Sequence, residues 1–338
     1  CDDQRPETEE MSASKTLRQL MATHPQYRGD RLRLLEALYK GGECLFGDGT
    51  KDDKRTDVLH KLFPTHRREE PHVYAERKRR AFYLPYAGEI IDHLVASLFQ
   101  QPLSIVHDDN SEPDEYYKEL LKDISPPGGD KCSLNDLIKQ QVLECFIKRV
   151  TYTLVDLPPE GDYVSLAQQE GAGALNAYAV PVCPESVLDW EEEANGALAW
   201  AVVYGEAKRR PTPDTDRDSI ERTWTFYTAT DWRRYQLTHK LTETPSPETA
   251  VPLVAEGRHS FGAVPLIRMQ FPDGLWAMSK LEGPAKELLN KVSALSWAQY
   301  QHLFQELYEY EYRGDDGTCG TRGSSPASGS RTSASCSC

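Results

Sequence analysis

The stretch Phe261-Gly262-Ala263-Val264-Pro265-Leu266-Ile267-Arg268-Met269-Gln270-Phe271 decides how this chain is read. Its glycine and first proline mark a turn, and the apolar run after them marks a buried strand. Pro272-Asp273-Gly274 breaks that strand. A long helical pattern follows, carried by Leu288, Leu289, Val292, Leu295, Trp297, Tyr300, Leu303, Phe304, Leu307 and Tyr308. Two starts compete for this helix. Ser279-x-x-Glu282 has the form of a capping box. That start would bury Pro284 inside the helix at the loss of a hydrogen bond, so Gly283 as N-cap with Pro284 at the first helical position is favoured. The expected helix then runs to Tyr312, roughly 40 Å at about 1.5 Å per residue. No large apolar residue follows Tyr312.

Upstream, residues 14–40 hold two short helical patterns, Leu17/Leu20/Met21 and Leu32/Leu34/Leu35/Leu38. Gly41–Lys54 reads as a loop rich in glycine and aspartate. Residues 72–99 are the strongest helical region of the first half, divided or kinked at Pro85. There Tyr86, Ile90, Ile91, Leu94, Val95, Leu98 and Phe99 fall on one apolar face. Leu103–Val106 reads as a strand, Tyr116–Leu121 as a short helix, and Pro126-Pro127-Gly128-Gly129 as a break. Ser133 caps a helix that carries Leu134, Leu137, Ile138, Val142 and Cys145.

Val150–Leu157 opens a series of strands. It continues at Ala177–Val182, Val187–Trp190, Ala197–Tyr204, Thr223–Ala229, Tyr235–Leu237 and Val264–Phe271. Trp224, Phe226 and Thr228 alternate with Thr225, Tyr227 and Ala229 at the strand period of two. Arg209–Asp218 and Thr242–Thr249 read as polar, proline-containing loops. Helices, then mainly antiparallel strands, then one long helix predict an α+β fold. The expected divisions are a lead at 1–13, a helical region at 14–110, a β-rich domain at 111–275, a long helix at 276–312 and a disordered Ser/Gly/Cys tail at 313–338.

At 338 residues the chain is long enough for a sizeable core and for two domains. Fifty-three acidic against 39 basic residues give a net charge of −14. That balance argues against coating DNA or an anionic membrane as the main task. It leaves room for a ring that lets DNA slide, where a sticky basic wall is a handicap. No window holds 18 uncharged apolar residues, so no membrane span is expected. Cys1–Glu10 has no apolar core of a secretory signal, and Met11 has the look of a natural start. Of the eight cysteines, Cys145 and Cys183 lie in apolar or strand-like surroundings and are expected to be buried thiols in a reducing compartment. Four others lie at residue 1 or in the tail, so no disulfide framework is expected.

Catalytic constellations are sparse. There is no phosphate-cradling P-loop, no H-E-x-x-H and no histidine pair at metal-ligand spacing. Gly171-Ala172-Gly173-Ala174-Leu175-Asn176 imitates a dinucleotide turn but lacks the third glycine and precedes a strand. Asp48, Asp52 and Asp53 do not have the spacing of an EF-hand. No catalytic, cofactor-binding or metal-ligating residue is therefore expected. Two features carry a functional reading beside a bland one. Arg77, Arg79 and Arg80, with His66-Arg67-Arg68 before them, are candidate phosphate or DNA contacts. The favoured alternative is a solvated helix face that offsets Glu69, Glu70 and Glu76, because no stackable aromatics interleave with the cluster. Trp297, Tyr300, Phe304 and Tyr308 form a wide aromatic face that packs either on the chain's own sheet or between subunits.

Several of these segments, in this order, resemble tailed-bacteriophage portal proteins, the head–tail connectors. Glu70-Pro71-His72-Val73-Tyr74-Ala75-Glu76-Arg77, the Ile90–Phe99 helix and Gln101-Pro102 are similar to the family's opening. Leu154-Val155-Asp156-Leu157-Pro158 is similar to its helix-to-strand step. Ser186-Val187-Leu188-Asp189-Trp190 and Gly262-Ala263-Val264-Pro265-Leu266-Ile267 are similar to two of its strands, and Ser279-Lys280-Leu281-Glu282 with Leu288-Leu289-Asn290 to its wing helix. The resemblance covers residues 30–312. It implies a non-enzymatic subunit of a ring, usually of twelve copies, at one capsid vertex of the virion, assembled in the bacterial cytoplasm. Such rings pass double-stranded DNA during packaging and ejection. They meet the terminase motor, scaffold and capsid proteins, and the head-completion proteins. In the family a stem, clip and crown follow the wing helix; here the Ser/Gly/Cys tail stands instead, as expected of a truncated or frameshifted portal gene in a degraded prophage. The alternatives are another phage head or tail structural protein, or a metal-dependent phage hydrolase or nuclease built on distant carboxylates such as Asp48, Asp108 and Asp156.

Overall fold

The computed structural model describes residues 14–46, 61–101, 103–104, 114–158, 164–171, 176–209, 219–303, 311–313 and 319–321. The fold is α+β, with antiparallel sheets and a long helix following them. Before the strands come α1 (Leu17–Leu20), α2 (Gly29–Lys40), α3 (Glu43–Phe46), α4 (Pro71–Arg79), α5 (Tyr86–Leu98), α6 (Glu115–Leu120) and α7 (Leu134–Lys148). α7 starts where its sequence says it should. Ser133 Oγ accepts from Asp136 N at 3.2 Å while the Asp136 carboxylate accepts from Ser133 N, so two orphan donors of the first turn are satisfied.

A six-stranded sheet has the order β1 (Ser14–Thr16), β8 (Ala250–Arg258), β7 (Asp231–Lys240), β6 (Ser219–Thr228), β5 (Leu198–Arg209) and β4 (Val187–Glu192). A three-stranded sheet has the order β3 (Tyr178–Val182), β2 (Val150–Asp156) and β9 (Leu266–Gln270). In β6 both faces are covered, so the alternation of Trp224 and Tyr227 separates two cores rather than core from solvent. Trp224 packs with Leu17, Leu20, Val202, Tyr235 and Val251. Tyr227 packs on the opposite side with Ala201, Val187, Tyr152 and Leu266, joining the two sheets. Glu206 lies opposite Arg222 across β5 and β6, and the pair closes at 3.1 Å, a cross-strand contact that helps hold the register.

The third core is helical. Leu35 and Leu38 of α2, Ile91 and Val95 of α5, and Ile147 of α7 pack together. Met278, Ala285 and Leu289 of α9 (Ala277–Leu303) complete it. The expected start of this last helix is corrected here: it begins ahead of both candidates and carries Pro284 inside it. Met278 is fully buried, and Trp276 anchors the start by donating Nε1–H to the Ile147 carbonyl at 3.0 Å. Burying that extra turn outweighs the one ladder bond that Pro284 cannot make. Ser279 is not the cap; its hydroxyl donates to the Trp276 carbonyl.

Other expectations change as well. The described helix ends at Leu303, and Glu311–Arg313 (β10) pairs antiparallel with Cys319–Thr321 (β11). The helix to Tyr312 and the wholly unstructured tail are thus corrected for those residues. Gly314-Asp315-Asp316-Gly317 between them is rich in turn formers, and strand pairing satisfies backbone groups without needing an apolar core. Leu103 and Ser104 are not strand, and Leu103 N donates to Asn135 Oδ1 instead of to a ladder; Ile105 and Val106 lie outside the described residues. Cys145 is buried, and burial pushes its thiol up to about 12, but Cys183 is exposed ahead of the turn at Pro184–Ser186. β8 and β1 went unread. Pro252 reads as a strand breaker, yet it is tolerated opposite Ser14 where β1, three residues long, forms the sheet edge. The segment boundary at 110 is not where the packing divides. β1 and α1 join the six-stranded sheet, and α7 joins the helical core.

Lys148, the last residue of α7, ties these parts together. It is 3% exposed, and its ammonium lies 2.9 Å from Glu36 of α2, 3.2 Å from Glu144, and 2.9 Å from Glu185 of the Pro184–Ser186 turn. Lys148 donates to Glu185 Oε2 at 3.2 Å, and Oε1 of the same carboxylate is its nearer ion-pair contact. Burial disfavours charge on Lys148, but the three carboxylates outweigh it and hold its pKa above the ordinary lysine value. Glu36 is held below the ordinary carboxylate range: burial works against this, and the hydrogen bond from Lys40 and the charge of Lys148 prevail. Its contribution to stability is therefore present above the unfolded carboxylate pKa and is lost as pH falls through the lower folded value. Lys148→Met leaves Glu144 and Glu185 without their cation and Glu36 with Lys40 alone, and is expected to cost about 3–5 kcal/mol at pH 7. In this variant acid neutralises the repelling carboxylates, so the deficit relative to wild type shrinks towards pH 4. Paired urea melts at the two pH values check both the size and the sign.

Candidate functional site

The two groups of candidate residues meet at one corner of the helical core. α4 begins at Pro71 and ends at Arg79, with Arg80 at its C-cap. α9 runs past it, and Ser293 hydrogen-bonds the backbone of Phe82 (Phe82 N to Oγ, 3.3 Å). Arg80 lies 3.3 Å from the ring centroid of Tyr300 and 5.9 Å from that of Trp297, which stack on each other at 5.9 Å. Its Nε donates to Glu76 at 3.2 Å. Trp297 and Tyr300 thus lie against Arg80 at the C-cap of α4 and remain half-exposed. Phe304 and Tyr308 lie outside the described residues.

The three arginines have different surroundings. Arg77 grips Glu69 with two bonds of 2.7 Å and gives a third donor to the Pro64 carbonyl. Its guanidinium lies 4.1 Å from the Phe63 ring centroid and 5.6 Å from that of Tyr74. The hydrogen bond from Arg77 holds the Glu69 carboxyl below its usual range and prevails over the burial that opposes it. Arg79 is exposed and paired with Glu76 at 3.0 Å. Arg67 and Arg68, by contrast, are exposed, line a shallow depression with His66, and have no ion pair among the described residues. Phe63, Trp297 and Tyr300 lie outside α4, so spacing within the cluster could not reveal them, whereas Tyr74, three residues before Arg77 on the same helix, was legible in the sequence.

Beside this corner lies a surface the sequence placed in the core. α5 buries Ala87, Gly88, Ile91 and Val95. Tyr86, Ile90, Leu94 and Leu98, spaced i, i+4, i+8 and i+12, face outward, and Leu98 is 62% exposed. Phe82, 53% exposed, precedes them. The single apolar face expected for α5 is thus two faces, of which one is buried. A helix apolar on both sides is the signal for this, since a helix on the surface of a core needs only one such stripe. Contiguous exposed apolar surface marks an interaction site. Gly88 lets the buried side approach closely; a Cβ there would meet the Tyr39 carbonyl oxygen at 2.5 Å.

Among the described residues no group of three His, Cys, Asp or Glu side chains is placed to hold a metal ion. Asp48 and Asp108 lie outside them, and Asp156 accepts from the Tyr178 hydroxyl at 3.3 Å. No helix among them is long and apolar enough to cross a membrane. Compared with models of known protein families and with curated proteins, the chain matches none.

Arg77→Ala is expected to destabilise the fold by about 1–3 kcal/mol at neutral pH, because Glu69 is left without its partner. Glu69's share of stability is present above the unfolded carboxylate pKa and is lost as pH falls through its depressed folded value, so the penalty should shrink in acid. Arg79→Ala should change stability by under about 0.5 kcal/mol. Thermal melts of both variants at neutral and acid pH distinguish the structural arginine from the solvated one.

Proposed function

We propose that this chain is a portal-like structural subunit that works as part of a ring at a phage capsid vertex. The observation that carries the reading is the exposed apolar stripe of α5 beside the half-exposed Trp297 and Tyr300. An amphipathic helix that turns a second apolar face to solvent is explained by a subunit whose neighbours cover it. The portal-like segments also come together in space. The Leu154–Pro158 and Gly262–Ile267 segments pair on adjoining strands, Leu154 opposite Leu266, with Val155 N bonded to the Pro265 carbonyl at 2.8 Å. Arg268 of that pair reaches Glu192, just beyond Trp190. In this reading the ring is homo-oligomeric, usually of twelve copies, and double-stranded DNA passes through it without sequence readout. The terminase motor, scaffold and capsid proteins, and head-completion proteins dock on it, and its work is structural, not catalytic. Arg67 and Arg68 are exposed cations open to phosphate, while Arg79, also exposed, is held by Glu76.

The test is mass in solution, by light scattering after size exclusion, on the full chain and on an Ile90→Glu/Leu94→Glu variant. The wild type is expected as an oligomer of about a dozen copies and the variant as smaller species with unchanged helical circular dichroism. Trp297→Ala should weaken assembly more than it lowers the melting temperature. A wild-type monomer at all concentrations would refute the ring.

A further inference from the structure

A cleft of about 350 Å³ lies away from this helix face, where the helical core meets both sheets. Its size is that of a small-molecule site, and such sites concentrate at junctions of this kind. Six separate stretches close on it: Gln26–Leu32 leading into α2, the α7–β2 junction, Pro184 of the turn before β4, Trp190 and Glu192 of β4, the end of β9, and Trp276 ahead of α9.

The cations of its wall divide by their partners. Arg31 pairs with Glu282 at 3.0 Å and lies 5.2 Å from the Trp276 ring centroid. Lys148 is held by its three carboxylates. Arg268 is engaged bidentately by Glu192 and also donates to the Gly196 carbonyl. Arg28 is different. Its Nη1 donates to the carbonyls of Pro25 at 2.7 Å and Tyr27 at 2.9 Å, which fix the guanidinium without neutralising it. No carboxylate pairs with Arg28 among the described residues. Arg149 pairs at 3.0 Å with Asp273, whose side chain is 80% exposed, so the pair is screened by water and its carboxylate is displaceable. Arg149 is also the one non-glycine residue with positive φ among those described, at 73°. Such a conformation persists where the surroundings hold it in place.

The remaining wall is flat and amide-bearing. Trp190, stacked on His24 at 4.1 Å, and Trp276 present indoles to the cleft, and Tyr27 and the buried Tyr152 add two further rings. Gln26 and Gln270 bring side-chain amides that have no hydrogen-bond partner among the described residues. Aromatic planes suit a heterocyclic base, amides suit its polar edge, and guanidinium groups suit phosphate oxygens.

We propose that this cleft binds a nucleoside mono- or diphosphate, with the base against the indoles and beside Gln26 and Gln270, and the phosphate on Arg28 and Arg149. The proposal does not depend on the ring-subunit reading.

Titrating the full chain with ADP, GDP and UDP, followed by tryptophan fluorescence and calorimetry, tests it. At least one nucleotide should saturate both signals, with pyrophosphate and the free nucleoside each at least about tenfold weaker. Arg28→Ala and Gln270→Ala should each weaken that nucleotide about tenfold or more, with an unchanged melting temperature. Three outcomes overturn the proposal. The first is no saturable binding up to millimolar nucleotide. The second is pyrophosphate binding as tightly as the nucleotide, which would make the cleft a simple anion site. The third is an affinity untouched by Arg28→Ala, which would place the binding elsewhere. A single-stranded oligonucleotide that binds far more tightly than any mononucleotide would also replace it, with a strand-binding surface.

Discussion

One ammonium group surrounded by carboxylates from three elements joins the halves of this molecule. Lys148 stands where α7 ends and β2 is about to begin, with Glu36, Glu144 and Glu185 around it. A lysine is carried into an interior only if opposite charge offsets its lost hydration, and here the carboxylates come from α2, from α7 itself and from the turn before β4. The chain must therefore bring helix, helix and sheet edge to one point. The next residue, Arg149, turns through positive φ and sends the chain into β2. Trp276 bonds the carbonyl of Ile147 one residue earlier, which fixes where α9 begins. Three consecutive positions thus set the relation of the helical core to both sheets, and the cleft opens at the same junction.

From that junction the molecule presents two different surfaces. The cleft is concave, with aromatic walls and two arginines that the fold leaves incompletely neutralised. The α5 side exposes a row of apolar side chains, and stacked Trp297 and Tyr300 of α9 are half-exposed. These properties suit different partners, a small planar anion on one side and a large complementary surface on the other. The net charge of −14 does not describe either, because it is a sum over the whole chain. The arginines in and before α4 show how differently single cations are placed: Arg77 closes a loop onto its helix, while Arg67 and Arg68 lie exposed.

Local rules carried far in this chain. The Ser133 cap, the break at Pro85 and the strand period of β6 were all legible, because each rests on a few neighbouring residues and on backbone geometry. Most strands were placed within a few residues for the same reason. What misled was any feature whose balance lay elsewhere in the chain. Pro284 argues locally for a helix start, but Met278 gains a place in a core built by α2, α5 and α7, and the helix extends back to reach it. Pro252 argues locally against a strand, but β7 and β1 receive β8 on either side.

The amino-acid sequence by itself determined the class of the fold, the order of its main elements and the residues able to form their faces, since periodicity and capping are properties of neighbours along a chain. Tertiary structure decided which of two apolar faces on α5 would be buried, which arginine would be enclosed and which left open, and where a cleft would form. Those outcomes turn on contacts between residues far apart in the chain: Arg80 on Tyr300, Gly88 against Tyr39, Lys148 among Glu36, Glu144 and Glu185. A one-dimensional pattern records what a side chain is able to bury or pair with. Only the folded chain brings the partner within reach.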